Sequence, residues 1–330
     1  MVICTMKKPT VRSHYLPRTY LKHFLLNDEL VMYKKGEKFF VDPTTTPEQK
    51  ILIVNGEEGL KNVGLQNHLY DPEVEGTSSD DLEDIFNDYG ENIYDDVISR
   101  IETLPANSRL PQSIKDDLSF FFATMRVRTP LFKWEVEQMD ANFRKHFMAR
   151  QMRELSPEEL VEQYKEIDGK EISLEMATKV RQSFLDKDYE LRYPNGFFIK
   201  MALMTLEMHA DIFHQMTWNI YTSDERYFTT SDNPLVYFVP REHINAYVSA
   251  KSLTSPHCEV YFSLTKNLGA HLTWRKDSEM IKTGSRQIVD LFKFNIPRQS
   301  LDYLFSPMEM NDLKEYVKQY TPYPFHFSIS

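Results

Sequence analysis

Cysteine is almost absent from this sequence: Cys4 and Cys258 are the only two, and they do not form a C-x-x-C pair. A disulfide framework or a zinc ribbon needs more cysteines at closer spacing. Both kinds of scaffold are therefore excluded, and the sequence fits a reducing compartment.

Glycine is also scarce, with 10 residues in a chain of 330. The sequence has no glycine-rich phosphate loop, no dinucleotide-binding fingerprint, no G-x-S-x-G elbow and no H-E-x-x-H motif. Common nucleotide-fold enzymes and serine hydrolases are therefore disfavoured.

Long hydrophobic runs are missing as well. The longest nearly apolar runs, such as Leu118 to Met125, are far shorter than the roughly 20 residues that cross a bilayer. Residues 1–11 lack the apolar segment of a secretory signal. We therefore expect a cytoplasmic protein with no membrane association.

Positive charge is outweighed by negative charge. The sequence has 39 Lys and Arg residues and 49 Asp and Glu residues, which gives a net charge of −10. A protein of this charge repels the phosphate backbone of nucleic acids. Non-specific DNA binding is disfavoured unless a local basic cleft overrides the global charge.

The apolar share of 41% is enough for a large core, and the chain has no internal repeat and no Gly/Ser linker. We therefore predict one domain over residues 1–330, of the α+β class and mainly helical, with a small mixed or antiparallel sheet. Hydrophobic spacing predicts the main helices over 20–25, 82–101, 113–125, 134–155, 197–215, 285–291 and 310–320. Short β-branched or aromatic segments predict strands at 30–33, 38–41, 51–54, 218–221, 227–229, 235–238, 260–263 and 270–274.

Residues 156–190 form the most charged part of the chain. Ser156, Pro157 and Glu159 give an N-cap, a first-turn proline and a capping glutamate, which together predict a helix start. A second helix is predicted over 174–185. We expect this helical pair to be an insertion that projects from the domain and offers a surface to a protein partner.

The first candidate motif places an imidazole and a guanidinium, His14 and Arg18, on either side of a helix start. Four residues apart, the two side chains could together hold a phosphate or a carboxylate near the helix N-terminus. The alternative is that His14 caps the helix and Arg18 pairs with a surface acid.

The second motif is a run of short polar residues at the end of a predicted strand, Ser231, Asp232 and Asn233, closed by Pro234. A strand end presents side chains rigidly, as catalytic or metal-binding carboxylates require. The alternative is an Asx turn, because Asp and Asn are common turn residues.

A third cluster, Glu207, Asp211 and His214, occupies one face of a predicted helix and could touch one metal ion. The sequence has no second helix with a matching carboxylate and histidine pattern, as a di-metal bundle would need. A solvated helix face is the preferred interpretation.

Taken together, the motifs resemble those of the bacterial domain-of-unknown-function family 4238. The motifs that carry the resemblance, in chain order, are His14 to Leu21, Asn67 to Tyr70, Arg128 to Pro130, Trp218 and Phe228 to Pro234. The resemblance implies that His14, Arg18, Arg128, Asp232 and Asn233 belong to the family pattern. It implies no reaction.

The resemblance also concerns the acidic helix that follows Tyr70. The family pattern there has two glutamates about two turns apart, and Glu83 matches the first of them. The second falls on Gly90, with Glu91 one place later, so a carboxylate pair on this helix is in doubt.

Two hypotheses for function follow. The first is a nuclease-like or nucleotide-processing enzyme of stress or phage-defence systems, in which a divalent metal ion could bind. In this hypothesis the catalytic residues are Asp232, Asn233 and His14, and the ligand-binding residues are Arg18, Arg128 and Ser231. The second is a non-catalytic regulatory or interaction protein in which these residues form a buried structural network.

Overall fold

The computed structural model describes residues 12–35, 51–67, 69–70, 84–244 and 252–318. Helices account for 53% of the structure and strands for 18%. Helix thus exceeds strand about threefold, and the prediction of a mainly helical α+β protein is confirmed. No helix in these ranges is long and apolar enough to cross a membrane.

The α-helices with bounds inside the described ranges are α1 (Arg18–Leu21), α2 (Gly56–Leu60), α3 (Asn92–Glu102), α4 (Gln112–Val127), α5 (Pro130–Glu154), α6 (Pro157–Asp168), α7 (Leu174–Asp186), α8 (Asn195–Gln215), α9 (Arg286–Gln299) and α10 (Asn311–Lys318). Pro130 begins α5, where its missing N–H costs nothing, and the Thr129 side chain accepts a bond from the backbone N–H of Phe132. α6 begins with the predicted capping box of Ser156 and Glu159.

The strands are β1 (Arg12–His14), β2 (Glu29–Lys34), β3 (Ile51–Asn55), β4 (Leu65–Asn67), β5 (Thr217–Thr222), β6 (Thr230–Ser231), β7 (Val236–Phe238), β8 (Glu259–Ser263), β9 (Leu268–Thr273), β10 (Met280–Thr283) and β11 (Tyr303–Ser306). They form three sheets, in the orders β1-β4, β10-β5-β9-β8-β7 and β3-β2-β11-β6. Only the pairing of β10 with β5 is parallel among these strands. The predicted mixed or antiparallel sheet is thus divided among three small ones.

The main core lies where α4 and α8 pack against the five-stranded sheet. The ring of Phe122 in α4 contacts Phe213 of α8, Trp218 of β5 and Phe262 of β8, with centroid distances of 5.9, 4.8 and 4.5 Å. All four rings are fully buried. Because aromatic side chains bury the largest areas, this group dominates the packing energy of the core.

The helical pair predicted over 156–190 is present as α6 and α7. Its buried side chains, Met152 of α5, Leu160 of α6 and Ala177 of α7, form an apolar cluster separate from the main core. The pair therefore packs on the C-terminal half of α5.

Several sequence predictions were wrong in their bounds. The predicted strand at 227–229 was wrong, because the strand in this region begins only at Thr230, as β6, and Phe228 before it is buried against Phe292 of α9. The strands β1, β4, β10 and β11 were not predicted. The predicted strand at 38–41 and the start of the acidic helix at 79–83 lie outside the described residues.

Candidate functional site

The carboxylate of Asp232 is bound entirely by backbone. Its Oδ1 accepts a hydrogen bond from the N–H of Leu301 at 2.8 Å, and its Oδ2 accepts from the N–H groups of Asp302 and Tyr303 at 2.5 and 2.9 Å. Asp232 is 1% exposed and follows β6, which pairs with β11. The carboxylate thus fastens the turn that joins α9 to β11.

Burial raises the pKa of the Asp232 carboxyl to about 6. The three backbone hydrogen bonds act in the opposite direction and lower this pKa. The amine of Lys35 lies nearby and donates to the carbonyls of Pro297 and Ser300 at 3.2 and 2.7 Å. Burial lowers the pKa of Lys35 to about 8, and the carboxylates of Asp232 and Asp302 oppose that shift.

The two neighbours of Asp232 also bind backbone groups. The Ser231 hydroxyl donates to the carbonyl of Asn233 at 2.8 Å and accepts from the Asn233 N–H at 3.2 Å. The Asn233 side chain donates to the carbonyl of Gln299 at 3.1 Å. All three polar side chains of the second motif are therefore part of one buried network that holds the end of α9.

Arg128 joins the first motif to the acidic helix. Its Nη2 donates to the carbonyl of His14 at 2.7 Å and to Oε1 of Glu91 at 3.1 Å, and its guanidinium lies 4.9 Å from the ring centre of Phe86. The Tyr70 hydroxyl donates to the backbone carbonyl of Arg128 at 2.7 Å. Arg128 is only 2% exposed, yet its Nε and Nη1 have no hydrogen-bond partner within the described ranges.

A π turn over Asn87–Glu91 explains how Glu91 reaches Arg128. Such a turn accommodates one extra residue in a helix. It therefore offsets the position of Glu91, which lies one place later in the sequence than the second glutamate of the family pattern. Gly90 faces the core, since a Cβ there would lie 3.1 Å from Oγ1 of Thr124. A glutamate at position 90 would therefore clash with α4, whereas Glu91 forms the ion pair with Arg128.

His14 is half-buried at the end of β1. Burial lowers its pKa, a hydrogen bond with the backbone of Val63 opposes this, and the charges of Arg18, Glu91 and Arg128 also act on the imidazole. The imidazole is therefore neutral near pH 7. The structure thus brings His14, Arg18 and Arg128 within electrostatic reach of one another.

Beside this cluster lies a cleft of about 170 Å³, lined by Arg18, Thr19, Lys22, Glu57, Leu60 and Glu91. Arg18 is exposed and makes no ion pair with any described residue. Lys22 forms an ion pair with Asp95, and the hydroxyl of Thr19 has no hydrogen-bond partner in the described part of the chain. As far as the described residues go, the cleft therefore contains a guanidinium without a counter-ion and a hydroxyl without a partner.

The two motifs pack against each other without sharing a site. The Tyr20 hydroxyl donates to the carbonyl of Ser263 at 2.8 Å and lies 2.6 Å from Oγ1 of Thr230. Tyr15 is buried near Asp232, whose charge helps to raise the pKa of this phenol. No hydrogen bond or ion pair joins Asp232 to His14, Arg18 or Arg128 in the part of the chain that the structure describes.

The third cluster, on α8, is a surface feature. His214 lies 2.9 Å from both Oδ1 of Asp116 and Nε2 of Gln112, whereas Glu207 and Asp211 are exposed. Within the described ranges no three His, Cys, Asp or Glu side chains are grouped so that they could hold a metal ion.

Sequence reasoning missed Lys35 and Tyr20, and it left the role of Glu91 in doubt. The only sequence signal for Glu91 was its place one residue after the second glutamate position of the family pattern. Lys35 and Tyr20 gave none, because each is a single polar residue beside an apolar segment and binds groups more than 200 residues away.

These observations describe a mainly helical α+β protein whose two polar motifs meet at the core. The profile of the protein of unknown function family DUF4238 matches residues 12–299, so the chain belongs to this family. No curated protein and no solved structure matches the chain.

Proposed function

We propose that this protein is a non-catalytic binding protein that holds a small anionic ligand in the cleft beside His14, Arg18 and Arg128. The observation that carries the proposal is the state of the two guanidinium groups. Among the described residues, Arg18 in the cleft lining has no counter-ion, and the neighbouring buried Arg128 has two nitrogen atoms without a hydrogen-bond partner. An unsatisfied buried donor costs about 1–3 kcal/mol. The Thr19 hydroxyl, which lines the cleft, is such a donor, and an anionic ligand would satisfy it.

A phosphate or carboxylate group suits this site best. Guanidinium groups bind such planar or tetrahedral anions through paired, charge-assisted hydrogen bonds, and the free Thr19 hydroxyl adds a donor. The cleft of about 170 Å³ has room for the head of a small metabolite. A net charge of −10 argues against a polymer such as DNA.

The network around Asp232 supports the non-catalytic part of the proposal. A general base needs a free lone pair near the proton that it removes. Both carboxylate oxygens of Asp232 instead accept backbone hydrogen bonds, and the side chains of Ser231 and Asn233 bind backbone as well. In this proposal the second motif holds the fold that shapes the cleft.

Calorimetric titration of the full chain with inorganic phosphate, pyrophosphate and AMP tests the proposal. The variant Arg18→Ala is expected to bind at least tenfold more weakly, since a charged hydrogen bond contributes about 1.5–3 kcal/mol. Arg150→Ala is the matched control, because Arg150 is an exposed arginine of α5 outside the cleft. Equal binding by wild type and Arg18→Ala would contradict the proposal.

The nuclease-like or nucleotide-processing enzyme is the second candidate. It is favoured by the neutral imidazole of His14 and the carboxylate of Glu91, which share the neighbourhood of Arg128. Assays of phosphate release from nucleotides and of cleavage of a short RNA distinguish the candidates. Turnover by wild type that His14→Ala abolishes would favour the enzyme over the binding protein.

The pair α6 and α7 remains the predicted surface for a protein partner. It exposes apolar side chains among its charges, including Ile167, Leu174 and Met176. Cross-linking in cells is expected to join a partner to Lys179 of α7, or to Lys170 in the loop between the two helices, in preference to the exposed Lys276. Equal labelling of Lys276 would contradict a specific surface.

A further inference from the structure

A second pocket opens between α5 and α8, away from the cleft. Its volume is about 370 Å³, in the range of sites for small organic molecules. Apolar side chains form most of its wall: Phe132, Val136, Met139, Met201 and Met208. The polar residues in the lining are Arg126, Glu135, Asn142, Thr205, His209 and Tyr237.

Arg126 of α4 forms the polar end of this pocket. Its Nη2 donates to Oε2 of Glu135 and to the Tyr237 hydroxyl, the latter at 2.9 Å. The guanidinium also contacts the rings of Phe132 and Tyr237, at 4.8 and 5.3 Å from their centres. Arg126 is 7% exposed, and its Nε has no hydrogen-bond partner among the described residues. Within these residues, the polar end of the pocket therefore has a buried donor without an acceptor.

The polar end carries no net charge. The carboxylate of Glu135 compensates the guanidinium of Arg126. Burial, with a further contribution from Arg126, lowers the pKa of His209 to about 4, so the imidazole is neutral at pH 7. Its Nδ1 lies 2.8 Å from the carbonyl of Thr205 and therefore carries the proton. This tautomer leaves Nε2 as a hydrogen-bond acceptor.

We propose that this pocket binds a neutral, mainly apolar small molecule that carries one hydrogen-bonding group, such as an amide or a hydroxyl. The apolar body packs against the methionines, whose flexible thioethers adapt to ligand shape. The polar group accepts from Nε of Arg126 and donates to His209. An anion is disfavoured because Glu135 already compensates the arginine and would repel it.

The buried floor and the exposed wall of the pocket both fit a mainly apolar ligand with one polar group. The floor consists of groups that are buried and fixed by hydrogen bonds, whereas Met139 and Met208 at the wall are more than half exposed. The sequence contains no indication of this pocket, because its lining residues on α4, α5 and α8 converge only in the folded chain.

Fluorescence titration of the full chain with the neutral probe N-phenyl-1-naphthylamine tests the proposal. Wild type is expected to give saturable binding of one probe per chain. Thr205→Phe fills the pocket from α8 and is expected to weaken binding at least tenfold. Met204→Phe is the matched control, since Met204 is 67% exposed on the same helix and outside the lining.

Equal thermal unfolding of the two variants establishes that both are folded. Tenfold weaker binding by Thr205→Phe alone supports the pocket. Unchanged binding by Thr205→Phe, or an absence of saturation in wild type, overturns it. The anionic analogue 8-anilinonaphthalene-1-sulfonate is expected to bind at least tenfold more weakly than the neutral probe, and tighter binding of the anion overturns the neutral class.

Discussion

At the scale of single residues, Asp232 illustrates how a short polar motif can serve structure. Its carboxylate satisfies three consecutive backbone N–H groups that would otherwise be buried without acceptors at the end of α9. Buried polar groups are costly only when they lack partners. The same side chain is poorly placed to act as a base, because it is buried and both of its oxygens already accept backbone hydrogen bonds.

Replacing Asp232 by alanine is therefore expected to lower the free energy of unfolding by more than about 2 kcal/mol, since three donors lose their acceptor. Urea denaturation measures the loss. The control is Asp302→Ala, which removes an exposed carboxylate in the same turn and is expected to change stability by less than about 0.5 kcal/mol. Similar losses in both variants would contradict a structural role for the Asp232 carboxylate.

The buried imidazole of His209 gives a prediction about pH. Its pKa falls from 6.5 to about 4 on folding, so the unfolded chain binds a proton in this window and the folded chain does not. Stability from this group is present above pH 6.5 and is lost as the pH falls toward 4. Between pH 7 and 5 the loss is on the order of 2 kcal/mol.

Asp232 acts in the opposite direction, because its pKa rises from 3.8 to about 6 on folding. Its contribution is present below pH 3.8 and is lost as the pH rises through 6. The two effects therefore partly cancel in wild type. In His209→Gln, urea denaturation at pH 7 and 5 is expected to show less destabilisation by acid than in wild type. An identical pH dependence would contradict the buried neutral imidazole.

At the scale of elements, the helices were predictable and several strands were not. Apolar residues at helical spacing and local caps such as Ser156 with Glu159 are signals contained within one segment. By contrast, β11 has four residues and pairs with β2, about 270 residues away, and with β6. Non-local pairing of this kind leaves no periodic trace in so short a strand.

The same limit applies to the candidate site. The sequence identified His14, Arg18 and Arg128 as polar residues of interest, and the structure brings them together. The sequence could not indicate that the donors for Asp232 are three backbone groups about 70 residues later. Backbone groups are the same in every residue, so their positions emerge only from the fold.

The helices α6 and α7 are expected to unfold separately from the main core, since a small cluster of their own holds them to α5. Ala177→Asp places a charge in that cluster, where Ala177 is fully buried. Hydrogen exchange is expected to accelerate across residues 157–186 and to stay unchanged in α4. The control, Thr178→Asp, adds the same charge at the exposed neighbouring position. Faster exchange throughout the chain would contradict a separate unit.

At the scale of the whole molecule, the N-terminal segment over residues 12–35 packs against elements from the C-terminal half of the chain. β2 pairs with β11, and the Tyr20 hydroxyl bonds to groups 210 and 243 residues away in the sequence. Such contacts form only when distant parts of the chain are already in place. We therefore expect the main body to unfold as one unit, as a single domain over the chain requires.

The variant Tyr20→Phe tests this expectation, because it removes the hydroxyl and keeps the ring that packs against Phe24, Tyr94 and Phe262. It leaves the carbonyl of Ser263 without its donor, so the free energy of unfolding should fall by about 1–3 kcal/mol. Tryptophan fluorescence and helical circular dichroism should report the same shifted midpoint. Tyr227→Phe, at a half-buried tyrosine outside the core, should leave the midpoint unchanged. A hydrogen bond within one cooperative structure stabilises all of that structure. If only one of the two probes shifted in Tyr20→Phe, the N-terminal segment and the core would therefore be separate folding units.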